Sequence, residues 1–177
     1  MKIVLISGKA EAGKTTAANI IKDSLSDKAS VAIVPYGAYV KHTAKLLFNW
    51  DGKKDEAGRH LLQWWGTDIV RKQLPDFWVD TVVRLANVAQ DQLDYLIIDD
   101  CRFLNEITAW RSWYPTIIRV ERPGWENALT PEQRQHPSET ALDDWKGFDV
   151  TLSATNIEEL TNEVYTKVIP MLIIDPA

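Results

Sequence analysis

The feature that most constrains this chain is the segment GKAEAGKTTA, Gly8 to Ala17, which comes shortly after the apolar run Ile3–Ile6. It matches G-x-x-x-x-G-K-[ST], the pattern of a phosphate-binding loop between a strand and a helix. Glycine lets the backbone turn tightly, so that successive N–H groups point at phosphate oxygens, and the following helix directs its positive end at the same anion. The pattern predicts a cradle for a nucleoside triphosphate, against the alternative of a flexible glycine turn.

Within this loop, Lys14 supplies a mobile positive charge for the β- and γ-phosphates, and Thr15 offers a hydroxyl to Mg²⁺. ATP is the predicted phosphate donor. The residues predicted to contact it in this segment are Gly8, Lys9, Ala10, Glu11, Ala12, Gly13, Lys14, Thr15 and Thr16.

Short apolar runs alternate with segments of helical spacing along the chain. The runs are Ile3–Ile6, Val31–Val34, Tyr95–Ile98, Thr116–Val120 and the weaker Phe148–Leu152. The helical segments are Lys14–Leu25, Ala38–Phe48, Glu56–Gln73 and Val79–Gln90, with a last helix from about Asn156 to Ile169, which Pro170 should end. This alternation predicts an α/β domain with a parallel sheet covered by helices on both faces.

Two acidic residues, Asp99 and Asp100, follow the apolar run Leu96-Ile97-Ile98. An acid at the end of a neighbouring strand would hold Mg²⁺ beside the phosphate loop. Either residue is a candidate metal ligand together with Thr15, and the alternative is that both merely end a strand.

Composition narrows the class of protein. A net charge of −5 and a pI near 5.2 argue against stable binding to nucleic acid, whose phosphates favour basic surfaces. The single cysteine, Cys101, excludes an internal disulfide and fits a reducing cytoplasm, and no apolar run reaches membrane-spanning length. The N-K-x-D motif of switch GTPases is absent, and a motor would normally be longer. A kinase of small molecules remains.

The segment from Gly58 to Asp80 carries a polar stripe and an apolar stripe at helical spacing. The polar stripe, read as substrate-binding or as a solvated face, is Arg59, Gln63, Thr67 and Arg71. The apolar stripe, read as core, is Leu62, Trp65 and Ile69. Gly66 inside the helix costs about 1 kcal/mol relative to alanine, which indicates close approach by a ligand or by backbone.

Arginines outside this helix are candidates for phosphate contacts. Arg102 lies just past a predicted strand end, where parallel sheets place their ligand sites, and its planar fork suits a phosphate. Residues 122–147 are rich in proline, glycine and polar side chains, which is typical of a lid or binding loop. Arg119, Arg122 and Arg134 could close over the transferring phosphate.

Several segments together resemble the deoxynucleoside monophosphate kinases of bacteriophage type. They are SGKAEAGKTTAA, GRHLLQWWGTDIVR, DFWV, IIDDCRFLNE and HPSETAL, in the family's order, over residues 3 to about 160. The resemblance implies a three-layer P-loop kinase fold with a five-stranded parallel sheet, a substrate-binding helical region over about 37–92 and a lid over about 122–147, all within one domain of residues 1–177. It also implies ATP- and Mg²⁺-dependent transfer to a deoxynucleoside monophosphate in the cytoplasm, that of the host if the protein is phage-encoded. Similar motifs occur in animal phosphomevalonate kinases.

The same resemblance suggests residue roles by position. Asp100 matches the acid of D-x-R-F and Arg102 its arginine, so that Lys14, Asp100, Arg102 and the lid residue Arg122 form the expected catalytic set. Lys41 matches a substrate lysine, although PYGAYVK departs from the family's usual aromatic-Ala-Asp-Pro pattern. His136 and Glu139 match the lid's H-x-S-E, and Asn156 begins a segment near adenine, with helix capping an equal alternative.

The hypothesis is therefore a kinase of a (deoxy)nucleoside 5′-monophosphate. Arg59, Arg71, Arg102 and Lys41 would hold the acceptor's phosphate, and Tyr36, Tyr39, Trp64 or Trp65 would stack on its base, with core packing as the alternative for these aromatic residues. Three alternatives stay open: a phosphomevalonate-like acceptor, a modified base in DNA, and a nucleotide-binding module without turnover. The apolar tail Met171–Ile174 should pack on the domain, and a homodimer contact is the other interpretation.

Overall fold

The computed structural model describes residues 1–173, which form a five-stranded, all-parallel sheet in the order β2-β3-β1-β4-β5. Its strands are β1 Lys2–Ser7, β2 Val31–Ile33, β3 Tyr95–Cys101, β4 Thr116–Glu121 and β5 Val150–Ser153. All five predicted strands and their parallel arrangement are confirmed. The weakest prediction, β5, pairs with β4 at the sheet edge.

Helices connect these strands. They are α1 Lys14–Leu25, α2 Gly37–Phe48, α3 Glu56–Gln63, α4 Phe77–Ala89, α5 Leu104–Thr108, α6 Pro131–Gln135, α7 Pro137–Thr140, α8 Ile157–Glu163 and α9 Ile169–Ile173. Two π-helical segments continue α3 and α8, over Trp64–Arg71 and Val164–Val168, and a 3₁₀ turn covers Arg111–Trp113. The region predicted as a lid thus holds two short helices, α6 and α7.

The sheet buries apolar side chains on both faces, as its continuous apolar strands require. One core, which includes Ile6 and Ile97, packs against α1 and the C-terminal helices. The other, which includes Leu5 and Ile98, packs against α4 and the segment around Trp110. Alternate residues of β1 and β3 therefore face opposite cores.

The strand order reverses at β1, which lies between β3 and β4. Ser7 pairs with Cys101, so the carboxyl ends of β1 and β3 lie side by side. A parallel sheet opens a crevice for ligands where its strand order reverses. Here that crevice receives the loop that follows β1 and the acidic end of β3.

Two expectations about the helices are wrong. Pro170 does not end the C-terminal helix, because the π-helical segment Val164–Val168 precedes it and helical structure continues to Ile173. A π-helical turn changes the hydrogen-bond spacing, which lets a helix continue past a residue without an N–H. Leu172 is buried in the core, as expected for a packed tail, and the predicted tail residue Ile174 lies outside the described residues.

The second wrong expectation concerns the segment that begins at α3. Leu62, Trp65 and Ile69 are only partly buried, so the predicted apolar stripe does not enter the core completely. Gly66 does mark a close approach, but by a side chain: a Cβ there would lie 2.9 Å from Cγ1 of Val40.

Within residues 1–173, no helix is both long and apolar enough to cross a membrane.

Candidate active site

The loop between β1 and α1 has the backbone geometry of an anion cradle. A Cβ on Gly8 would lie 2.4 Å from the carbonyl oxygen of Val120, and Gly13 precedes α1 with φ of 102°, so only glycine fits both positions. Glu11 also has a positive φ of 63°, and its carboxylate contacts Arg59 at 2.9 Å.

Lys14 lies inside this loop, with 8% of its surface exposed. Its Nζ donates to the carbonyl oxygen of Lys9 at 2.6 Å. Burial, and secondarily the charge of Arg102, lower the pKa of Lys14 to about 7. A phosphate group at this position would compensate the buried charge.

Asp99 is the better placed of the two candidate metal acids. Its Oδ2 accepts a hydrogen bond from Oγ1 of Thr15 at 2.6 Å. Its Oδ1 is buried and has no hydrogen-bond partner in the described structure. An unpaired carboxylate oxygen beside a hydroxyl and a phosphate cradle is suited to Mg²⁺, which takes few protein ligands and completes its octahedron with phosphate and water oxygens.

Asp100 has a different environment. Its Oδ1 and Oδ2 each accept a hydrogen bond at 2.8 Å, from the backbone N–H groups of Tyr36 and Gly37 at the start of α2. Burial raises its pKa, against the opposing effect of these donors. The carboxylate therefore anchors α2, and the structure does not turn it toward Thr15 as a metal ligand. Both aspartates lie inside β3 rather than beyond its end.

A cavity of about 720 Å³ opens in front of the phosphate loop and is surrounded by cations. They are Lys14, Lys41, Lys54, Arg59 and Arg102. Lys54 was not predicted as a site residue, although it belongs to the basic pair Lys53-Lys54 just before α3. The positive charge of Lys41 lowers the pKa of Lys54. The carboxylates of Glu11, Asp99, Asp100 and Glu139 line the same cavity. Cations and acids around one cavity suit a phosphorylated ligand that binds with Mg²⁺, since the cations pair with phosphate oxygens and an acid with the metal.

A second, apolar pocket of about 160 Å³ adjoins this cavity. Its lining includes Val40, Thr67, Trp78 and Phe103, while Lys41, Gln63, Asp100 and Arg102 line both spaces. The two cavities thus meet at Arg102. Three of the four predicted polar-stripe residues, Gln63, Thr67 and Arg71, line the apolar pocket, whereas Arg59 faces the phosphate loop.

Arg71 and Glu106 form a buried ion pair at the end of this pocket, with an N–O distance of 2.5 Å. Glu106 also accepts hydrogen bonds from the backbone N–H groups of Arg102 and Phe103, and burial raises its pKa to about 7 against the opposing effect of Arg71. The Nε of Arg71 is buried and has no hydrogen-bond partner among residues 1–173. Glu106 has no predicted role from the sequence, because Phe103 at the N-cap of α5 has no side-chain acceptor and the segment therefore lacks a capping-box pattern.

The predicted lid arginines do not line the phosphate cavity in this conformation. Arg122 stacks on Trp125 at 3.9 Å and donates to the carbonyl oxygen of Thr155. Arg134 donates to backbone carbonyls of its own loop. Arg119 lies within β4, 3.4 Å from Ser7 Oγ and 3.5 Å from Asp143. Backbone carbonyl oxygens and an aromatic ring thus hold Arg122 and Arg134, and no sequence pattern indicated these contacts.

Three other predicted substrate contacts also differ from expectation. Tyr36 borders the apolar pocket, but its hydroxyl donates to the carbonyl oxygen of Glu106 and accepts from Trp110 Nε1, so its ring is fixed in the core. Trp64 and His136 line another cavity, between α3 and α6. His136 caps α7 through Nδ1, and its Nε2 lies 3.5 Å from Asp68.

A further cavity of about 160 Å³ lies on the other side of the loop. Ala12, Gly13, Thr16, Arg122 and Asn156 line it. Asn156 caps α8 by accepting the N–H of Glu159 at 2.9 Å, so the capping interpretation is confirmed, and the same residue borders this space. The structure thus joins three spaces around one loop.

An all-parallel sheet with a glycine-lysine-threonine loop at its switch point and a Thr–Asp pair beside it is the arrangement of a P-loop protein. The family model for deoxynucleotide monophosphate kinase matches residues 27–164, so the chain belongs to that family and is a nucleotide kinase. A phosphomevalonate kinase of Drosophila melanogaster is 29% identical over 181 residues, covering 92% of each chain.

A solved structure of another kinase shares the fold. A sugar kinase from a Janibacter species superposes with a TM-score of 0.53 at 12% identity, over 99% of both chains. A thymidylate kinase from Candida albicans gives a TM-score of 0.46 at 13% identity, over 93% of this chain and 89% of that one.

Proposed function

We propose that this protein transfers the γ-phosphoryl group of ATP to a (deoxy)nucleoside 5′-monophosphate. The observation that carries the proposal is the meeting of a cation-rich cavity and an apolar pocket at Arg102. An acceptor that fits both spaces has a phosphate at one end and a flat apolar body at the other.

The donor's triphosphate would lie on the loop, with Lys14 and the backbone N–H groups on its β- and γ-phosphates. Its nucleoside would extend toward Arg122 and Asn156, whose cavity continues from the loop. Arg122 is therefore proposed as a contact of the donor nucleoside and no longer as a group that neutralises the transferring phosphate. Thr15 and Asp99 would hold Mg²⁺, which supplies charge neutralisation on the phosphates.

The acceptor's phosphate would lie between Arg102, Lys41 and Lys54, and its base in the apolar pocket. One oxygen of that phosphate would then attack the γ-phosphorus in line, forming a new P–O bond as the bond to ADP breaks. The protein's contribution is position and charge, because this reaction needs little covalent help. Such a kinase would work in the cytoplasm, where ATP and free mononucleotides are found.

The 29% identical phosphomevalonate kinase supports a second candidate acceptor. Phosphomevalonate carries a carboxylate at the end far from its phosphate, which calls for a free cation there. Arg71 is the cation at that end of the pocket, and Glu106 neutralises it. A flat base that uses the free Nε–H of Arg71 suits this environment better.

An acceptor screen tests the assignment. We expect ADP release with at least one mononucleotide, and at least about a hundredfold lower kcat/KM with the matching nucleoside, because the guanidinium groups would be left unpaired. Arg102→Lys keeps the charge but loses the planar fork, so it should raise the KM of the mononucleotide far more than that of ATP. Arg84→Lys, on the exposed face of α4, is the matched control.

Equal efficiency with nucleoside and mononucleotide would contradict the acceptor assignment. Turnover of phosphomevalonate alone would favour the second candidate, and no ADP release with any acceptor would favour a binding module.

Substitutions of the two aspartates should differ in how the reaction rate depends on the Mg²⁺ concentration. Asp99→Asn should raise the Mg²⁺ concentration at half-maximal rate by about tenfold, since it removes the charged oxygen beside Thr15. Asp100→Asn should instead raise the KM of the acceptor, because its carboxylate positions the start of α2, which carries Lys41. The reverse pattern, with Asp100→Asn alone shifting the Mg²⁺ dependence, would refute this division of roles.

A further inference from the structure

Glu139 lines the phosphate cavity beside the loop. It lies on α7 of the lid, and only 7% of its side chain is exposed. Its Oε1 accepts a hydrogen bond from the Arg102 guanidinium at 2.5 Å, and its Oε2 accepts one from the backbone N–H of Ala10 at 2.9 Å. One carboxylate thus bridges the phosphate loop and the arginine where the two cavities meet.

These two donors are of the kinds that bind phosphate: a loop N–H group and an arginine fork. Lys14 is also engaged by a protein oxygen, the carbonyl of Lys9. One loop N–H group and the Arg102 guanidinium are therefore engaged by the same carboxylate, and Lys14 is engaged by a carbonyl oxygen. A carboxylate and a phosphate carry like charge, so the two cannot share these donors without a large repulsion.

The lid segment is fastened at the same place by further contacts. Lys9 Nζ donates to the carbonyl oxygen of Glu139 at 2.7 Å and contacts Asp143 at 2.5 Å. Arg102 also donates to the carbonyl oxygen of Ser138 at 3.1 Å. Movement of the Glu139 carboxylate would therefore loosen residues 137–143 from the loop.

We propose that Glu139 is a positioning residue whose carboxylate stands in for a phosphoryl group in the free enzyme. It holds Arg102 beside the phosphate loop until a polyphosphate displaces it, and that displacement releases α7. The inference rests on the proposed function only in so far as the loop binds a polyphosphate; it does not depend on which acceptor is used.

Calorimetric titration with magnesium tripolyphosphate, which needs no acceptor, tests the competition directly. Glu139→Gln keeps the shape and a carbonyl oxygen for Ala10 but removes the negative charge. We expect its Kd for tripolyphosphate to fall by about tenfold, because a charge-assisted competitor has been lost. Glu139→Asp, which keeps the charge but is too short to span both donors, should lower the Kd by a smaller factor.

Glu132→Gln removes the same charge from an exposed position on the same lid and is the matched control. An equal gain in Glu132→Gln would mean that overall charge alone is responsible, and an unchanged or weaker affinity in both Glu139 variants would overturn the proposal. Failure of the acceptor screen with this result intact would refute only the mononucleotide assignment.

Hydrogen exchange of backbone amides is a second test, because its response to tripolyphosphate would not change if Glu139 had only a structural role. In the wild type, tripolyphosphate should speed the exchange of backbone amides over residues 137–143. In Glu139→Gln the free protein should already show the faster exchange, and added tripolyphosphate should change it little. Slower exchange of this segment on tripolyphosphate binding in the wild type would contradict the displacement.

Discussion

Lys14→Met is expected to lower kcat about a thousandfold or more while leaving the protein folded, since it removes the cation that follows the transferring charge. Lys14 is buried in the loop, where its Nζ donates to the carbonyl oxygen of Lys9, and burial lowers its pKa, so that its charged form is disfavoured unless a phosphate lies beside it. Methionine has a similar length and no charge. The measurements are the steady-state rate with a mononucleotide acceptor and the melting temperature with and without MgATP.

Lys14→Met should also change the stability of the protein without nucleotide, and in the direction opposite to its effect on activity. The reason is the lowered pKa of Lys14 in the folded protein. The group titrates near 10.5 when unfolded and near 7 when folded, so the unfolded chain binds more protons between these values. Lys14 therefore costs stability below pH 7, and that cost disappears as the pH rises toward 10.5. At pH 7 the free variant should melt at or above the wild-type temperature.

MgATP, in contrast, should raise the melting temperature of the variant much less than that of the wild type. Wild-type turnover, or full stabilisation by MgATP, would refute the role of the loop lysine. Lys28→Met, an exposed lysine beyond α1, is the control for loss of a charge alone.

Glu106→Ala is expected to destabilise the protein by about 3–5 kcal/mol, because it leaves Arg71 buried and unpaired. It also removes the acceptor of the Arg102 and Phe103 N–H groups at the start of α5. For a chain of this size, such a loss lowers the melting temperature by roughly 10 °C. Glu126→Ala, exposed on the lid, should change it little.

Glu106→Gln removes the charge of the side chain and keeps its shape, so the pH dependence of its melting temperature shows what the charge contributes. The carboxyl titrates near 4.5 when unfolded and near 7 when folded, so the folded protein holds the proton more tightly. The resulting stability is present below pH 4.5 and is lost as the pH rises to about 7. Melting temperatures at pH 5 and pH 8 should show this loss in the wild type and not in the glutamine variant; the same loss in both would assign it to other groups.

Some features of this fold could be predicted from the sequence, and others could not. The loop from Gly8 to Thr15 could be predicted because phosphate binding by backbone N–H groups demands glycine at fixed spacing, whatever the rest of the fold. The five strands could be predicted because strands buried on both faces must be continuously apolar. The π-helical segments could not, because their cause is packing against other elements, such as Val40 against Gly66.

Asp99 and Asp100 show, within one dipeptide, the same limit of prediction from the sequence. The sequence places Asp99 and Asp100 at a strand end as equivalent acids. Because side chains alternate along a strand, only one of them faces Thr15, and the other meets the N–H groups that begin α2. The partner of each was decided by the neighbouring elements.

The sequence by itself determined the parallel α/β fold and the phosphate loop, because both follow from local patterns of apolar residues and glycine. The tertiary structure alone decided which charges meet. Arg71 pairs with Glu106 and Arg102 pairs with Glu139, which are 35 and 37 residues away in the chain. Charge pairing depends on distances of a few ångströms between segments far apart in the chain, and a residue pattern carries no such distance.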